Sequence, residues 1–336
     1  MPHLLAAPDK FRGTATASEV AAAIEWAAHD AGWTCDRAPV ADGGEGLLDA
    51  LSAHVGGSRR RTRVRGPLGE PVEAEWLLSD RTAVIEMARA SGLLLAGGPE
   101  GNDPMAATTH GTGELIAAAV AAGARRVIIG LGGSATTDGG RGALEALQPV
   151  SRIAGVKLVV ACDVSTTFAA AAEEFGPQKG ATPAQVALLR RRLERLAGDY
   201  LRASGIDVAE LPGAGAAGGL AGGLATIGAE LVPGFELVAD LIDLADRVAA
   251  ADLVVTGEGH VDEWSFRGKA VGGVVELADE AGVDVLVVAG AADPDPLVEV
   301  VSLIDRFGAG RAMADPAGCV AEVVAEDLGR RSRQCL

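Results

Sequence analysis

Short apolar runs that end in glycine-rich turns and pass directly into helix-patterned segments alternate at both ends of this chain, whereas its middle mixes helices and strands in other orders. His3 to Ala7 reads as a buried strand, followed by a helix from about Ser18 to Ala31. Thr16 and Glu19 have capping-box spacing there, and Gly32 sits where a C′ glycine belongs. A second strand, Thr34 to Val40, leads through Ala41-Asp42-Gly43-Gly44-Glu45-Gly46 into an apolar-periodic helix from Leu47 to Val55. The alternation returns with Leu253–Thr256, a helix from Gly268, then Val285–Val288 and Leu303–Asp305, and a last helix starts near Pro316. Between these ends, Arg61 to Arg65, Val72 to Leu78 and Thr82 to Glu86 read as an antiparallel meander, and a long helix covers Pro183 to Ser204. Strand, glycine turn and helix in that order build doubly wound α/β units. The expected fold class is therefore α/β, with one such domain (1–60 plus 250–336) split by an inserted mixed α/β domain (61–249).

Composition narrows the function classes. Acidic residues outnumber basic ones, 46 to 29, and the net charge of −17 makes a nucleic-acid partner a poor fit. No apolar run approaches the ~18–20 residues that would span a bilayer, and the N-terminus does not read as a secretory signal. The four cysteines, Cys35, Cys162, Cys319 and Cys335, show no CxxC spacing, which fits a reducing cytoplasm. Arg190 to Arg195 reads as a solvated helix face. Arginine outnumbers lysine 25 to 4, yet three lysines touch glycine motifs: Lys10 in Asp9-Lys10-Phe11-Arg12-Gly13, Lys179 in Gly176-Pro177-Gln178-Lys179-Gly180, and Lys269 in Arg267-Gly268-Lys269. A compact ammonium docking on one anionic oxygen is what arginine does not imitate.

Glycine marks the candidate sites: it is 46 of 336 residues, and 19 of the 46 fall in windows 43–46, 111–113, 130–142, 213–223 and 257–259. Asp42-Gly43-Gly44-Glu45-Gly46 follows a strand, so Asp42 belongs at the carboxyl edge of a sheet, where open α/β folds bind ligands. There it would serve as a general base or hold Mg²⁺, or else be a solvated turn acid. Gly130-Leu131-Gly132-Gly133-Ser134-Ala135-Thr136-Thr137-Asp138 follows the apolar strand Arg126 to Ile129 and enters a helix, the arrangement of an anion cradle. Asp138 is one acid among its donors. Gly213-Ala214-Gly215-Ala216-Ala217-Gly218 contains GxGxxG, but no strand precedes it, so a dinucleotide fingerprint is rejected. Phosphate approach and tight helix packing stay open for it with equal weight. Glu258 and Asp262, in Thr256-Gly257-Glu258-Gly259-His260-Val261-Asp262, would complete a Mg²⁺ site, whereas His260 reads as a surface residue.

These segments together resemble the bacterial glycerate kinase family, the type that phosphorylates D-glycerate with ATP. The matching pieces are Ala7-Pro8-Asp9-Lys10-Phe11-Arg12-Gly13, Val40-Ala41-Asp42-Gly43-Gly44-Glu45-Gly46, Gly111-Thr112-Gly113-Glu114-Leu115-Ile116, Gly132-Gly133-Ser134-Ala135-Thr136, Phe175-Gly176-Pro177-Gln178-Lys179-Gly180-Ala181, the 212–219 glycines and Thr256-Gly257-Glu258-Gly259. They occur in the family's order and cover nearly the whole chain. The resemblance implies a flavodoxin-like (Rossmann-like) domain split by a second domain resembling a restriction-enzyme sandwich, and MgATP as cosubstrate. The chain departs from the family at His260, at Thr137 and in a shortened 165–174 loop.

The implied reaction is in-line transfer of a phosphoryl group to the C2 hydroxyl of D-glycerate, a chemistry of positioning and charge stabilisation. In this reading Gly132, Gly133, Ser134, Gly213, Gly215 and Gly218 contact phosphate, and Lys179 and Lys10 neutralise charge. Asp42 or Asp138 accepts the hydroxyl proton, and Glu258 with Asp262 holds Mg²⁺. The expected partners are small molecules only, in a cytoplasmic monomer or homodimer. The rival readings are a kinase for another small hydroxy acid, a 3-phosphoglycerate product, a non-catalytic nucleotide or metabolite sensor, and an NAD(P)-linked oxidoreductase.

Overall fold

Thr16 starts the first helix, Ala17–Asp30, by accepting from Glu19 N at 3.2 Å while the Glu19 carboxylate accepts from Thr16 N at 2.8 Å. That reciprocal cap satisfies two donors the helix start would leave open. A computed structural model describes this chain except for Arg12, 267–268, 294–297 and 335–336, and the side chains of residues 53 and 334. The expected helix start at Gly268, the Arg12 and Arg267-Gly268 parts of the lysine motifs, and Cys335 lie outside the described residues.

The chain divides into two compact units: 1–42, 49–55 and 235–336 form the first, and 43–48 and 56–234 the second. The borders expected from the sequence are 60/61 and 249/250. Residues from Phe235 onward go with the first unit because Phe235 lies where Gly273 has no Cβ, and because Arg247 clasps Asp36 with two bonds of 2.7 and 2.8 Å.

In the first unit, strands His3–Ala6, Thr34–Arg37, Leu253–Thr256, Asp284–Ala289 and Val300–Ser302 form one wholly parallel sheet. Counted in chain order within the unit, the strands lie 5-4-3-1-2, the flavodoxin order. Val20 and Ile24 of the first helix share one buried cluster with Leu4, Val255 and Val288 of the sheet and Val320, Val324 and Leu328 of the last helix, Pro316–Gln334. The expected strand Leu303–Asp305 is instead a helix, Leu303–Phe307, and the strand precedes it. Ser302 causes this by accepting from Asp305 N, a side-chain cap that starts the helix at once.

In the second unit six strands lie in chain order: Ser58–Arg65, Pro71–Ser79, Thr82–Glu86, Arg126–Gly130, Lys157–Ala161 and Glu230–Val232. The first three pair antiparallel and the rest parallel, so the meander is one flank of a larger mixed sheet. On the edge pair, Arg61 lies opposite Glu75 and Arg63 opposite Glu73 on one face, while Val64 opposite Val72 faces the core. The arginines thus charge an exposed edge against stray pairing. The long helix is Pro183–Ser204, capped by Thr182 and Gln185, and Arg190 on it pairs with Glu173 and Glu194.

Candidate active site

The order of the first unit's sheet reverses between His3–Ala6 and Leu253–Thr256, and open parallel sheets bind ligands beyond the carboxyl ends at such a point. Three loops leave that edge and are laced together. Asp9 N donates to Gly257 O at 2.8 Å, Gly290 N to Glu258 O at 3.0 Å and Gly259 N to Lys10 O at 3.4 Å. Gly257 must be glycine, because a Cβ would overlap the Val288 carbonyl oxygen. Beside the loops lies a cavity of about 380 Å³, lined by Asp9, Lys10, Asp42, Glu258, Asp262 and Lys269 among others. The structure therefore brings Lys10, Asp42, Glu258 and Asp262 together.

Lys10 Nζ lies 3.6 Å from Asp9 Oδ2 and 3.8 Å from Asp42 Oδ1. Asp9, missed as a site residue by the sequence reading, is 4% exposed and accepts from Lys10 N at 2.6 Å. Burial raises its pKa to about 7, against the pull of the Lys10 ammonium and with a further push from Asp42 and Glu258. The signal that could have found it is the one used for Asp42, an acid just past a strand's carboxyl end. Burial also raises the pKa of Glu258, opposed by Ser265 and Lys269 and reinforced by Asp42 and Asp262. His260 is exposed and sits 2.9 Å from Asp293.

Glu258 Oε1 is buried and has no hydrogen-bond partner among the described residues. Asp262 Oδ1 is occupied by Ser265 N at 2.9 Å and Ser265 Oγ at 3.2 Å. No group of three or more His, Cys, Asp or Glu that could hold a metal occurs among the described residues. An orphaned carboxylate oxygen without a full cage fits Mg²⁺, which is usually held by one or two carboxylates plus substrate phosphates.

The second unit arranges its sequence-predicted residues differently. Asp138 takes five donors: Thr109 N and Oγ1 at 2.9 Å, Gly140 N and Gly142 N at 3.1 Å, and Thr108 Oγ1 at 3.4 Å. A carboxylate so occupied fastens the starts of helices His110–Ala121 and Arg141–Ala146 and has little capacity left for a substrate proton. Gly213, Gly215 and Gly218 are buried, and a Cβ on each would meet protein: Cys162 and Val164, the Thr166–Thr167 backbone, and the Thr136–Thr137 backbone. Their glycine identity follows from close packing, the reading that had stood level with phosphate approach. Gly133 is exposed, Gly132 half-buried against Gly44, and Ser134 buried in a bridge to Gly92.

Lys179 is 2% exposed and donates to Thr136 O at 2.7 Å, over the Phe175 ring. Asn102, which the sequence reading also missed, donates to both Ala135 O at 3.0 Å and Lys179 O at 2.9 Å. Together they clamp the loop that follows Ser134, so Lys179 holds the loop instead of presenting its ammonium at an open surface.

Burial lowers the Lys179 pKa to about 7, with the Asp138 charge opposing. Between about pH 7 and the ordinary lysine value near 10.5 the unfolded chain binds a proton that the folded chain does not. Stability is therefore expected to gain from this group as pH rises through that window, and to carry its full cost below pH 7. Urea midpoints of the wild type minus those of Lys179→Met should rise from pH 7 to pH 10, and a flat difference would show that Lys179 titrates normally.

The Glycerate kinase family model matches residues 4–150 and 148–307. The chain is 39% identical to the "Glycerate 2-kinase" of Escherichia coli K12, over 87% of this chain and 86% of that protein. It is 40% identical to the "Glycerate kinase" of Bacillus subtilis 168, over 87% and 86% respectively. A crystal structure from Salmonella typhimurium LT2, provisionally described as a glycerate kinase 2, superposes with a TM-score of 0.83 at 34% identity and covers 100% of both chains. Among the described residues no helix is long and apolar enough to cross a membrane.

Proposed function

The chain belongs to the glycerate kinase family and is a kinase, and from that premise we propose that it transfers the γ-phosphoryl group of ATP to the C2 hydroxyl of D-glycerate. The products are 2-phospho-D-glycerate and ADP. The observation that carries this reading is the switch-point cavity with Lys10 between two carboxylates and Lys269 on its wall.

The C2 oxygen attacks the γ-phosphorus, the bond from that phosphorus to the β–γ bridging oxygen breaks, and ADP leaves. Asp42 takes the hydroxyl proton, held in place by the Lys10 ammonium 3.8 Å away. Lys10 and Lys269 offset the charge of the transferring group, which is where catalysis of phosphoryl transfer is concentrated. Glu258, with Asp262 beside it, would hold Mg²⁺, which when bound supplies charge neutralisation on the phosphates. In the second unit the backbone amides of Gly132, Gly133 and Ser134 bind an anionic oxygen group. Asp138 and Lys179 position that loop. The setting of this reading is a cytoplasmic monomer or homodimer acting on small molecules.

Purified protein incubated with MgATP and D-glycerate is expected to give one phosphorylated acid. Phosphorus–proton coupling in its NMR spectrum should run to the single C2 proton. Coupling to the two C3 protons would assign 3-phosphoglycerate instead. Turnover on other small hydroxy acids but not on D-glycerate would replace the acceptor, and MgATP binding without turnover on any acid would leave a sensor.

A further inference from the structure

The cavity of the first unit has a second wall that the proposed chemistry does not use. We propose that this wall, made by Phe11, Ile304, Ala312 and Met313, seats the purine base of the nucleotide, whose phosphates reach toward Lys10 and Lys269. The inference rests on the reading that ATP is the phosphoryl donor, and it assigns that donor's base to the first unit.

Size is the first argument. A cavity of about 380 Å³ falls within the range of about 300–1,000 Å³ that holds drug-sized ligands, and it far exceeds what a three-carbon acid fills. Chemistry is the second. Glycerate carries a carboxylate and a hydroxyl on each of its other two carbons and gains nothing from an apolar wall, whereas a nucleotide joins a charged tail to a flat, largely apolar ring. The lining offers both kinds of surface. Its charged groups come from the loops after His3–Ala6, Thr34–Arg37 and Leu253–Thr256, and most of its apolar groups from the short helices Leu303–Phe307 and Ala309–Ala314.

The wall is also braced, with one adaptable member. Phe11 and Ala312 are buried, and Ile304 N donates to Gly290 O at 3.0 Å. Arg306 and Arg311 both stack on Phe307 and pair with Glu326 and Glu322 of the last helix. Met313 lines the same cavity yet is 58% exposed. An unbranched thioether with free rotation is suited to close over a ring that arrives there. The location agrees, since doubly wound sheets bind nucleotides at the point where strand order reverses.

The chain has four methionines, so protein labelled with methyl-¹³C methionine gives a simple spectrum in which Met313→Leu identifies the Met313 line. ATP and adenosine are each expected to shift that line, and D-glycerate alone is not. Met313→Glu is expected to raise the KM for ATP about tenfold, the loss of roughly one apolar side-chain contact, with the KM for D-glycerate within twofold of wild type. An unmoved Met313 line and an unchanged KM for ATP in an enzyme that turns over ATP would overturn the base seat. So would a shift caused by D-glycerate and not by ATP. Absence of turnover with ATP counts against the proposed reaction instead, and the Met313 line then still tests the base seat through adenosine.

Discussion

Asp42→Asn is expected to lower kcat by between about a hundredfold and ten-thousandfold, the usual worth of a positioned proton acceptor. The side chain is about one quarter exposed, so the melting temperature should move by no more than a few degrees. The KM values for ATP and D-glycerate should change far less than kcat, because the amide keeps the shape of the cavity and loses only the basic oxygen. Asp42→Glu should recover part of the rate. A kcat within tenfold of wild type in the Asn variant would remove Asp42 from proton transfer. The buried carboxylate of Asp9, on the other side of Lys10, would then be the remaining candidate at that point.

The second large effect is on folding. Asp138→Ala deletes an acceptor used by five donors, and those left behind on Thr109, Gly140 and Gly142 are buried between two helix starts. Stranding several buried donors of one network is expected to cost about 3–5 kcal/mol, read as a lower urea midpoint at unchanged slope. Asp138→Asn should fall between, since one oxygen survives while the new NH₂ faces groups that themselves donate. Equal stability of wild type and Ala variant would mean that water replaces the carboxylate at no cost. A variant of wild-type stability with no activity would return Asp138 to the chemistry.

These two acids show how far the sequence could be read. Both follow a strand within a glycine-rich turn, and their neighbours in the chain look alike. What separates them comes from afar: Asp138 is met by Thr108 and Thr109, about thirty residues earlier, while Asp42 faces a cavity beside Lys10. Features decided within a few residues were legible, such as the Thr16–Glu19 cap and the helix Pro183–Ser204. The α/β class was also legible, because strand, turn and helix repeat locally. The switch from strand to helix at Leu303 was not, since it turns on one serine cap. Rationed lysine singled out residue 179 as an ammonium for an anionic oxygen, whereas its burial under Thr136 O is invisible to composition.

The glycines packed about Phe168 carry a consequence for anyone mapping this enzyme by mutation. Added Cβ atoms at Gly139, Gly219 and Gly222 would each strike that one ring, and at Gly218 the Thr136–Thr137 backbone. A saturation scan should therefore score this stretch as intolerant as any catalytic motif, for reasons of steric exclusion alone. Selection for growth would confuse the two. Scoring soluble abundance alongside activity separates them, because the Gly218 neighbourhood should fail in both, whereas positions such as Asp42 should fail only in turnover.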